Sequence, residues 1–448
     1  MAEERPKLIL DDCLMRQEKT NDVLGVNYDI TAEYVTQKAD FIHVFENKKS
    51  YLYNDGVYCS HAHELLTGVL YDLFSKYKNK SGQSILKKAD LSEILARIDA
   101  KCGISISALN NIPGNVFNAA NGLLDLDTLQ LSEPSPLNLI LTKSPTIYDP
   151  DAECPAFMEF VEDALPSHQM VDAIGEMIGY IIWPHYQTHK AFMLYGPKRT
   201  GKGTTIRVIE ALVGAKDCSH VSLQDLAENR FARARLFGKK LNTSGDLPST
   251  PIKDPGIFKN LTGEDSIDAE NKFEQIFSFS NKAKLLFSAN ALPKLRHEDD
   301  AFYNRWIIIM FENSVFGKED PNLTAKLTTP AELSGILNFG LKGLKRLREN
   351  EWHFSYGEKD SGEMYRRESN PIIAFLEDMC VASDGFAVQA DLVKAFNQYA
   401  RERNMPIATS NKAFGIAMQD QLVIPVETTH PKVGDKQVEA WAGISMKQ

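Results

Sequence analysis

The sequence predicts an α/β protein with a mainly parallel central sheet. Three short and almost wholly apolar runs indicate buried strands, at Ala191–Tyr195, Lys284–Ala289 and residues 306–311. Residues 204–212 have apolar side chains at helical spacing, and buried strands separated by helices are typical of parallel sheets. The 448 residues, of which 43% are hydrophobic and 25% charged, fit a folded chain of about three domains.

The chain divides into four predicted parts. Residues 1–150 mix short strands and helices, and a proline-rich stretch over 133–150 marks their end. Within them we expect strands over 41–45 and 51–58, helices over 61–77 and 91–101, and a hairpin over 118–131. The remaining parts are the central domain over 151–355, a polar linker over 356–370, and a tail of helices followed by a hairpin over 371–448.

The charge balance excludes one broad class of protein. Lys and Arg total 50 against 60 Asp and Glu, a formal net charge of −10, which argues against a chain coated with basic residues for gripping nucleic acid. A local basic groove is still compatible with that total. The six cysteines are scattered with no CxxC pair, and no signal peptide or membrane-spanning stretch is recognisable. We therefore expect an intracellular, cytoplasmic protein.

Residues 196–202, GPKRTGK, fit the phosphate-binding pattern GxxxxGK. In such a loop the glycines let backbone N–H groups surround the β- and γ-phosphates, and the lysine supplies a positive charge. The loop follows a predicted strand and opens a predicted helix, as this mechanism requires. The predicted ATP-binding residues are Gly196, Pro197, Lys198, Arg199, Thr200, Gly201, Lys202, Gly203, Thr204 and Thr205.

The residue after the loop lysine departs from the usual pattern. Gly203 stands where Ser or Thr normally supplies a hydroxyl to Mg²⁺. That hydroxyl must then come from Thr204, with Thr205 a weaker candidate, or the metal is held differently. The same letters, GKGT, are found in nucleoside-monophosphate kinases, so the loop alone leaves that alternative open.

Three further side chains are predicted to take part in catalysis. Asp246 ends the segment KKLNTSGD, and an acidic group at the end of a neighbouring strand can hold Mg²⁺ or orient the attacking water. Asn290 follows another apolar run, where an amide can bond the γ-phosphate or that water. Arg305 precedes a buried strand and can reach a neighbouring subunit's ATP site as an arginine finger. The catalytic set is Lys202, Asp246, Asn290 and Arg305, with Thr204 and Asp246 as Mg²⁺ ligands.

The segment between the acid and the amide carries a family resemblance. Residues 259–273, KNLTGEDSIDAENKF, together with the loop, Asn290 and Arg305, resemble superfamily 3 helicases of the phage, plasmid and poxvirus primase–helicase type. The order of the motifs matches that family throughout, and the resemblance covers nearly the whole chain. Three positions depart from its pattern: Gly203, the single acid Asp246, and Glu264, where glycine is common.

The resemblance implies a fold and an activity. It implies an AAA+ motor that hydrolyses ATP with Mg²⁺, assembles with itself into a ring, typically a hexamer, and moves along single-stranded DNA in the 3′ to 5′ direction. It also implies a β-hairpin whose tip, near Lys272 and Phe273, contacts DNA in the central channel. Further implied features are a winged helix in the tail and, as a partner, a primase or polymerase of a phage, plasmid or viral replicon.

The tail and two smaller groups of residues give weaker signals. The predicted winged helix has helices over 372–379, 389–404 and 410–419 and a wing over 422–426 and 438–444. Its candidates for phosphate contacts are Lys412, Lys432 and Lys436, although a protein-binding role is almost equally compatible with its modest charge. Cys59, His61 and His63 are metal-ligand types without a fourth ligand nearby, so a structural role is the better interpretation. Arg230, Arg233 and Arg235 fit either a channel or a solvated surface.

Two other functions stay open at this level. A nucleoside-monophosphate kinase explains the GKGT letters, but it needs neither residues 259–273 nor a winged helix. An AAA+ initiator or loader would bind DNA through the tail and use ATP as a switch without separating strands. The leading prediction is an ATP-dependent DNA helicase of replication, and therefore an ATP-hydrolysing enzyme.

Overall fold

The computed structural model describes residues 7–447 apart from 111–113, 249, 294, 296–298, 315–319, 358–359, 370, 403–406, 408–409, 411–413, 416–426 and 435. Buried apolar side chains form one cluster in the N-terminal region, one in the C-terminal region, and two against the central sheet. Among the described helices, none combines the length and the apolar character needed to cross a bilayer.

The N-terminal region is mixed α/β, as predicted. Its elements are β1 (Leu14–Arg16), β2 (Val23–Val26), α1 (Tyr28–Lys38), β3 (Phe41–Val44), β4 (Lys49–Asn54), β5 (Val57–Cys59), α2 (Ala62–Phe74), α3 (Lys88–Lys101), β6 (Gly103–Ile104), β7 (Val116–Ala119), β8 (Gly122–Asp125) and β9 (Leu131–Ser132). One sheet has the order β5-β4-β3-β6, with β6 parallel to β3. The predicted hairpin over 118–131 is confirmed as β7 and β8, with β9 added beside β8.

The central domain contains the predicted parallel sheet. Its elements are α4 (Pro155–Ala164), α5 (His168–Ile182), β10 (Ala191–Tyr195), α6 (Lys202–Val213), β11 (Cys218–Ser219), α7 (Leu223–Glu228), α8 (Arg230–Arg233), β12 (Leu241–Ser244), α9 (Gly256–Gly263), β13 (Ser266–Glu270), β14 (Ile276–Ser280), β15 (Lys284–Ala289), α10 (Asp300–Tyr303), β16 (Trp306–Met310), α11 (Leu323–Leu327) and α12 (Pro330–Glu349). Five parallel strands lie in the order β11-β12-β15-β10-β16.

The strand order places β10 at a position where ligands commonly bind. β10 lies between β15 and β16, whereas the next strand in the chain, β11, lies at the far edge of the sheet. In parallel α/β sheets, crevices form at the carboxyl ends of the strands where the strand order reverses. Alternate residues of β10 enter different apolar clusters, since Phe192 and Leu194 pack in one while Ala191 and Met193 pack in the other. Both faces of the strand are therefore buried.

Helices α5 and α12 pack against each other through glycines. A Cβ at Gly179 would lie 2.5 Å from the carbonyl oxygen of Gly340 and from the backbone nitrogen of Leu344. A Cβ at Gly343 would lie 2.2 Å from backbone atoms of Gly175. Backbone cannot move aside as a flexible side chain can, so these positions need glycine for the two helices to approach so closely.

The C-terminal region follows directly on the central domain. Its elements are α13 (Asp360–Ser369), α14 (Pro371–Met379), β17 (Cys380–Val388), α15 (Gln389–Glu402), β18 (Glu427–Thr429), β19 (Lys432–Val433), β20 (Lys436–Gln437) and β21 (Ala440–Met446). An antiparallel sheet has the order β17-β21-β18. Most of the predicted helix over 410–419, including Lys412, and the predicted strand over 422–426 lie outside the described residues. The winged helix therefore stays a prediction.

The prediction of a linker over 356–370 is wrong for most of its length. Residues 360–369 form α13, and its Tyr365 is fully buried with its ring 5.6 Å from that of Trp306. The Tyr365 hydroxyl donates to the carbonyl oxygen of Pro293 at 2.9 Å. A mostly polar sequence thus forms a helix because a few side chains, chiefly this tyrosine, are buried against the central domain.

Candidate functional site

The loop between β10 and α6 curls tightly and needs glycine at two positions. Gly196 has φ +144°, and a Cβ there would lie 2.1 Å from the carbonyl oxygen of Phe311. Gly201 has φ +100°, and a Cβ there would lie 3.1 Å from the Phe160 ring. Residues other than glycine rarely adopt such φ values. The curl leads into the N-terminus of α6, whose backbone N–H groups carry partial positive charge.

Lys202 lies inside the curve of this loop. Its side chain is only 6% exposed. Its Nζ donates to the carbonyl oxygens of Gly196 at 2.7 Å and Pro197 at 2.5 Å, and to Asn290 Oδ1 at 3.1 Å. Burial lowers the pKa of this ammonium group, and the nearby Asp246 carboxylate opposes the shift.

Asn290 connects the lysine to the predicted acid. It follows β15, and Asp246 lies two residues after β12, so both stand at the same edge of the sheet as the loop after β10. Asn290 Nδ2 donates to Asp246 Oδ1 at 2.9 Å. Three of the four predicted catalytic side chains therefore form one hydrogen-bonded chain. An ammonium, an amide and a carboxylate together suit a phosphate, a water molecule and a divalent cation.

The remaining predicted loop residues surround this chain. Pro197, Lys198 and Arg199 form an exposed rim, while Thr200 is buried and its Oγ1 donates to the carbonyl oxygen of Pro197 at 2.9 Å. The hydroxyls of Thr204 and Thr205, which begin α6 with Lys202 and Gly203, make hydrogen bonds to residues of the loop and of α6 itself. The donor set fits Mg²⁺ because Asp246 is an exposed carboxylate whose second oxygen, Oδ2, is an oxygen ligand of the type this ion prefers.

Arg305 lies at the amino-terminal ends of the parallel strands, whereas the loop lies at their carboxyl ends. Ala191, the first residue of β10, pairs with Trp306, and the Ala191 N–H donates to the Arg305 carbonyl oxygen at 2.7 Å. The loop begins only after Tyr195, so about 16 Å of extended strand separates it from Arg305. An arginine side chain cannot cover that distance, so this residue does not act on its own chain's loop. An action on a neighbouring chain stays a prediction.

The residues around Arg305 come from the family-like segment 259–273. Arg305 Nε donates to Thr262 Oγ1 at 3.0 Å, and Lys259 Nζ lies 2.7 Å from Asp299 Oδ2. The sequence assigns no role to Thr262, and only this contact across 43 residues reveals that it holds the arginine in place.

Glu264, the third departure from the family pattern, lies at a position whose backbone conformation favours glycine. It caps α9 with φ +58°, a left-handed value that favours glycine. Here the side chain compensates, because its Oε1 accepts from the Tyr186 N–H at 2.7 Å and lies 3.0 Å from Lys282 Nζ.

The predicted β-hairpin precedes β15 and is formed by β13 and β14. Its five paired positions leave residues 271–275 as the turn, with Lys272 and Phe273 at the tip. Phe273 is 93% exposed and has φ +69°, and Lys272 Nζ lies 5.2 Å from the centre of its ring. A bare aromatic ring beside a lysine is chemistry that suits the bases and phosphates of a single strand.

Two arginines brace this hairpin from the side. Arg230 Nε lies 2.5 Å from Glu270 Oε2, and Arg233 Nη1 donates to the carbonyl oxygen of Asp268 at 3.1 Å. Both contacts join α8 to β13. The third arginine of the segment, Arg235, is exposed.

The weak metal signal at Cys59, His61 and His63 is not supported. Within the described ranges, no group of three or more His, Cys, Asp or Glu residues is arranged to hold a metal. His63 Nε2 lies 2.9 Å from Asp99 Oδ1, which also accepts from Ser50 Oγ at 2.7 Å. The histidine therefore belongs to a polar cluster between α2 and α3, as the structural interpretation predicts.

Two family models match this chain. Residues 30–166 match the "D5 N terminal like" model, and residues 194–305 match a family of unknown function (DUF5906). The second match spans the loop, Asp246, the hairpin, Asn290 and Arg305. The chain therefore contains a domain of the D5 N-terminal type followed by a DUF5906 domain. The resemblance predicted from residues 259–273 is thereby confirmed.

Individual relatives of this chain are distant. It is 24% identical over 162 residues to "Putative helicase 184R" of Invertebrate iridescent virus 6, a match that covers 30% of this chain and only 17% of that relative. Among solved structures, two of the C-terminal region of NrS-1 are similar. One is 14% identical with a TM-score of 0.49, covering 92% of this chain and 98% of the other. The second is 12% identical with a TM-score of 0.49, covering 96% and 100%.

Proposed function

We propose that this chain is an ATP-dependent DNA helicase of replication. It acts as a ring of identical subunits that hydrolyses ATP between neighbours and moves along single-stranded DNA in the 3′ to 5′ direction. The observation that carries the proposal is the hydrogen-bonded chain Lys202–Asn290–Asp246 at the carboxyl ends of three parallel strands. The exposed hairpin tip lies in the segment that connects two of those strands, β12 and β15.

The groups of the hydrogen-bonded chain have different tasks. The loop N–H groups and Lys202 bind the β- and γ-phosphates. Asn290 donates its amide hydrogens toward the γ-phosphate or the attacking water, and Asp246 fixes that amide by accepting from it. Asp246 would also hold Mg²⁺, which when bound neutralises charge on the phosphate oxygens. The Asp246 carboxylate is left to orient the water for attack in line with the leaving group.

The hairpin couples this chemistry to DNA. β14 leads through three residues into β15, and Asn290 follows directly on β15, so a shift at the amide is passed along one strand to the hairpin. Lys272 contacts a backbone phosphate, and Phe273 packs on a sugar or base without reading sequence. The bracing arginines of α8 keep the hairpin rigid enough to transmit force.

ATPase activity measured with and without single-stranded DNA, beside unwinding of a forked duplex, tests the proposal. Lys202→Ala should abolish both hydrolysis and unwinding, because the phosphates lose the buried ammonium group of the loop. Lys272→Ala should keep basal hydrolysis and lose unwinding. Lys282→Ala, which removes a lysine at the base of the same hairpin, is the matched control and should unwind normally.

The alternatives predict different results. Phosphate transfer to a nucleoside monophosphate, independent of DNA, would support a kinase. ATP-dependent assembly on DNA without strand separation would support an initiator or loader. Wild-type hydrolysis that is indifferent to DNA, with no unwinding in either direction, would contradict the helicase.

A further inference from the structure

The position that usually supplies a hydroxyl to the metal has none in this chain. Gly203 follows Lys202 in a helical conformation, so no backbone requirement calls for glycine. A Cβ built at this position would meet no heavy atom closer than Arg207 Nη1, at 3.5 Å, which is an ordinary contact. A Cβ therefore fits at residue 203. Packing against the described residues does not require glycine at this position.

Thr204, the predicted replacement, points elsewhere. Successive residues of an α-helix are about 100° apart, so residue 204 points about 200° around the axis from residue 202. Lys202 turns toward Asn290, whereas Thr204 Oγ1 accepts from Arg207 Nη2 at 3.2 Å. Arg207 in turn lies 3.4 Å from Thr324 Oγ1, in α11. The Thr204 hydroxyl thus faces α11 rather than Asp246.

The Thr205 hydroxyl also has a hydrogen-bond partner within the protein. Its side chain is fully buried, and its Oγ1 donates to the carbonyl oxygen of Gly201, one turn earlier, at 3.2 Å. The same carbonyl oxygen also accepts from the Thr205 backbone N–H at 2.9 Å, so the hydroxyl folds back on its own helix. Thr204 therefore points away from the side of the helix that holds Lys202, and the Thr205 hydroxyl, although nearer to that side, is buried and bonded to the backbone of the loop.

We propose that Asp246 is the only side chain of the described residues that ligates the Mg²⁺ of the nucleotide, and that water takes the coordination position next to Gly203. The proposal rests on the proposed ATP site and corrects the sequence prediction for Thr204. Mg²⁺ dehydrates reluctantly and usually keeps several waters, so one carboxylate with phosphate oxygens and water is a sufficient ligand set. A hydroxyl introduced at residue 203 should then displace one of those waters.

The test is binding of Mn²⁺, as a spectroscopic substitute for Mg²⁺, to the full chain with a non-hydrolysable ATP analogue, followed by electron paramagnetic resonance. Asp246→Asn should weaken Mn²⁺ binding at least about tenfold. Thr204→Ala should leave it unchanged. Gly203→Ser should tighten it, while Gly203→Ala, the matched control that adds a Cβ without a hydroxyl, should not.

Two results would overturn the assignment. The first is a loss of Mn²⁺ affinity in Thr204→Ala as large as that in Asp246→Asn. The second is identical behaviour of Gly203→Ser and Gly203→Ala. Binding of a fluorescent ATP analogue in the presence of a chelator separates the two hypotheses: if Lys202→Ala and wild type bind it equally, the proposed ATP site itself is wrong, whatever the metal data show.

Discussion

Asn290 shows how much one residue organises at the candidate site. Its carbonyl oxygen accepts from the Lys202 ammonium and its amide donates to the Asp246 carboxylate, so it separates two opposite charges by one polar group. An amide can serve both partners because it has a donor and an acceptor at one end, which neither a carboxylate nor an apolar side chain has. The orientation of Asn290 is thereby fixed by its two neighbours.

We expect Asn290→Ala to separate binding from hydrolysis. The lysine remains to bind phosphates, but the donor that would stabilise the reacting groups is lost, so turnover should fall about a hundredfold. Nucleotide affinity, measured with a fluorescent ATP analogue, should change little. Asn313→Ala removes an exposed asparagine that bonds the Asp163 carbonyl oxygen, and it is the control that should retain turnover. Equal turnover in the two variants would contradict the role of Asn290.

A second residue-scale prediction concerns pH and the N-terminal region. The hydrogen bond that His63 donates to Asp99 raises the pKa of His63. Burial acts to raise the pKa of Asp99, but the hydrogen bonds that it accepts from His63 and Ser50 hold that pKa below its ordinary value. Because the folded pKa of His63 lies above its unfolded value of about 6.5, the stabilisation is complete below that pH. It is lost as the pH rises through the folded pKa. Burial lowers the pKa of the adjacent His43, so His43 opposes this trend at acidic pH.

His63→Gln should therefore loosen α2 and α3 more at pH 5.5 than at pH 8.5. Hydrogen–deuterium exchange of peptides from these helices, compared with wild type at the same pH, measures the effect. His61→Gln changes a histidine whose side chain is 77% exposed and lies 3.9 Å from Glu64, so its effect should differ much less between the two pH values. A loss of protection in His63→Gln that is equal at the two pH values would contradict the charged pair.

At the scale of elements, the sheet and its helices explain why the site forms. β10, β12 and β15 end at one edge because they are parallel, and this brings Lys202, Asp246 and Asn290 together from distant parts of the sequence. Elsewhere in the central domain, glycines let the backbones of α5 and α12 contact each other directly. On the other side, α13 is tied to the end of β10, since the Tyr195 hydroxyl donates to Glu368 Oε2 at 2.9 Å.

Gly179→Ala should destabilise the central domain. The added Cβ would lie 2.5 Å from backbone atoms of α12, and relieving this overlap by moving a helix costs about 1–3 kcal/mol. Thermal unfolding followed by tryptophan fluorescence should show a lower midpoint, because three of the four tryptophans, Trp183, Trp306 and Trp352, lie in the central domain. Gly68→Ala is the matched control in α2, where a Cβ meets nothing within 4 Å, so its midpoint should stay the same or rise. Identical midpoints for the two variants would contradict the close packing.

At the scale of the whole molecule, Arg305 makes a single chain insufficient for the proposed mechanism. It lies at the amino-terminal edge of the sheet, held by Thr262 and by the Ala301 carbonyl oxygen at 2.7 Å, and it cannot reach the loop of its own chain. A neighbouring chain that presents this edge to the loop would complete the site. The ring is thus a proposal that follows from the position of one residue.

Mixed rings test this arrangement. Arg305→Ala and Lys202→Ala should each abolish hydrolysis alone, because one lacks the finger and the other lacks the loop lysine. Mixing the two should restore part of the activity, since some interfaces then join an intact loop to an intact arginine. Lys259→Ala removes the partner of Asp299 without touching either group and should retain more activity than Arg305→Ala. The absence of any recovery on mixing would contradict action across the interface.

Elements with strong local signals were predictable, and elements stabilised from a distance were not. The apolar runs of β10, β15 and β16 and the glycines of the loop are local patterns that can be recognised in the sequence. By contrast, the mostly polar sequence of α13 predicts a linker, because the stability of this helix comes from Tyr365 packing on Trp306, 59 residues away in the chain. β17 was missed as well, because it contains Asp384 and Gly385, which are unfavourable in strands.

The sequence by itself determined the parallel sheet, the position of the loop, and the family resemblance carried by residues 259–273. These depend on local patterns, namely short apolar runs, glycines at fixed spacing and one contiguous motif. Only the tertiary structure decided that Asn290 lies between Lys202 and Asp246, that Thr204 faces α11, and that Arg305 lies far from its own loop. The reason is that each of these facts depends on strand order and helix rotation, which bring together groups between 44 and 117 residues apart.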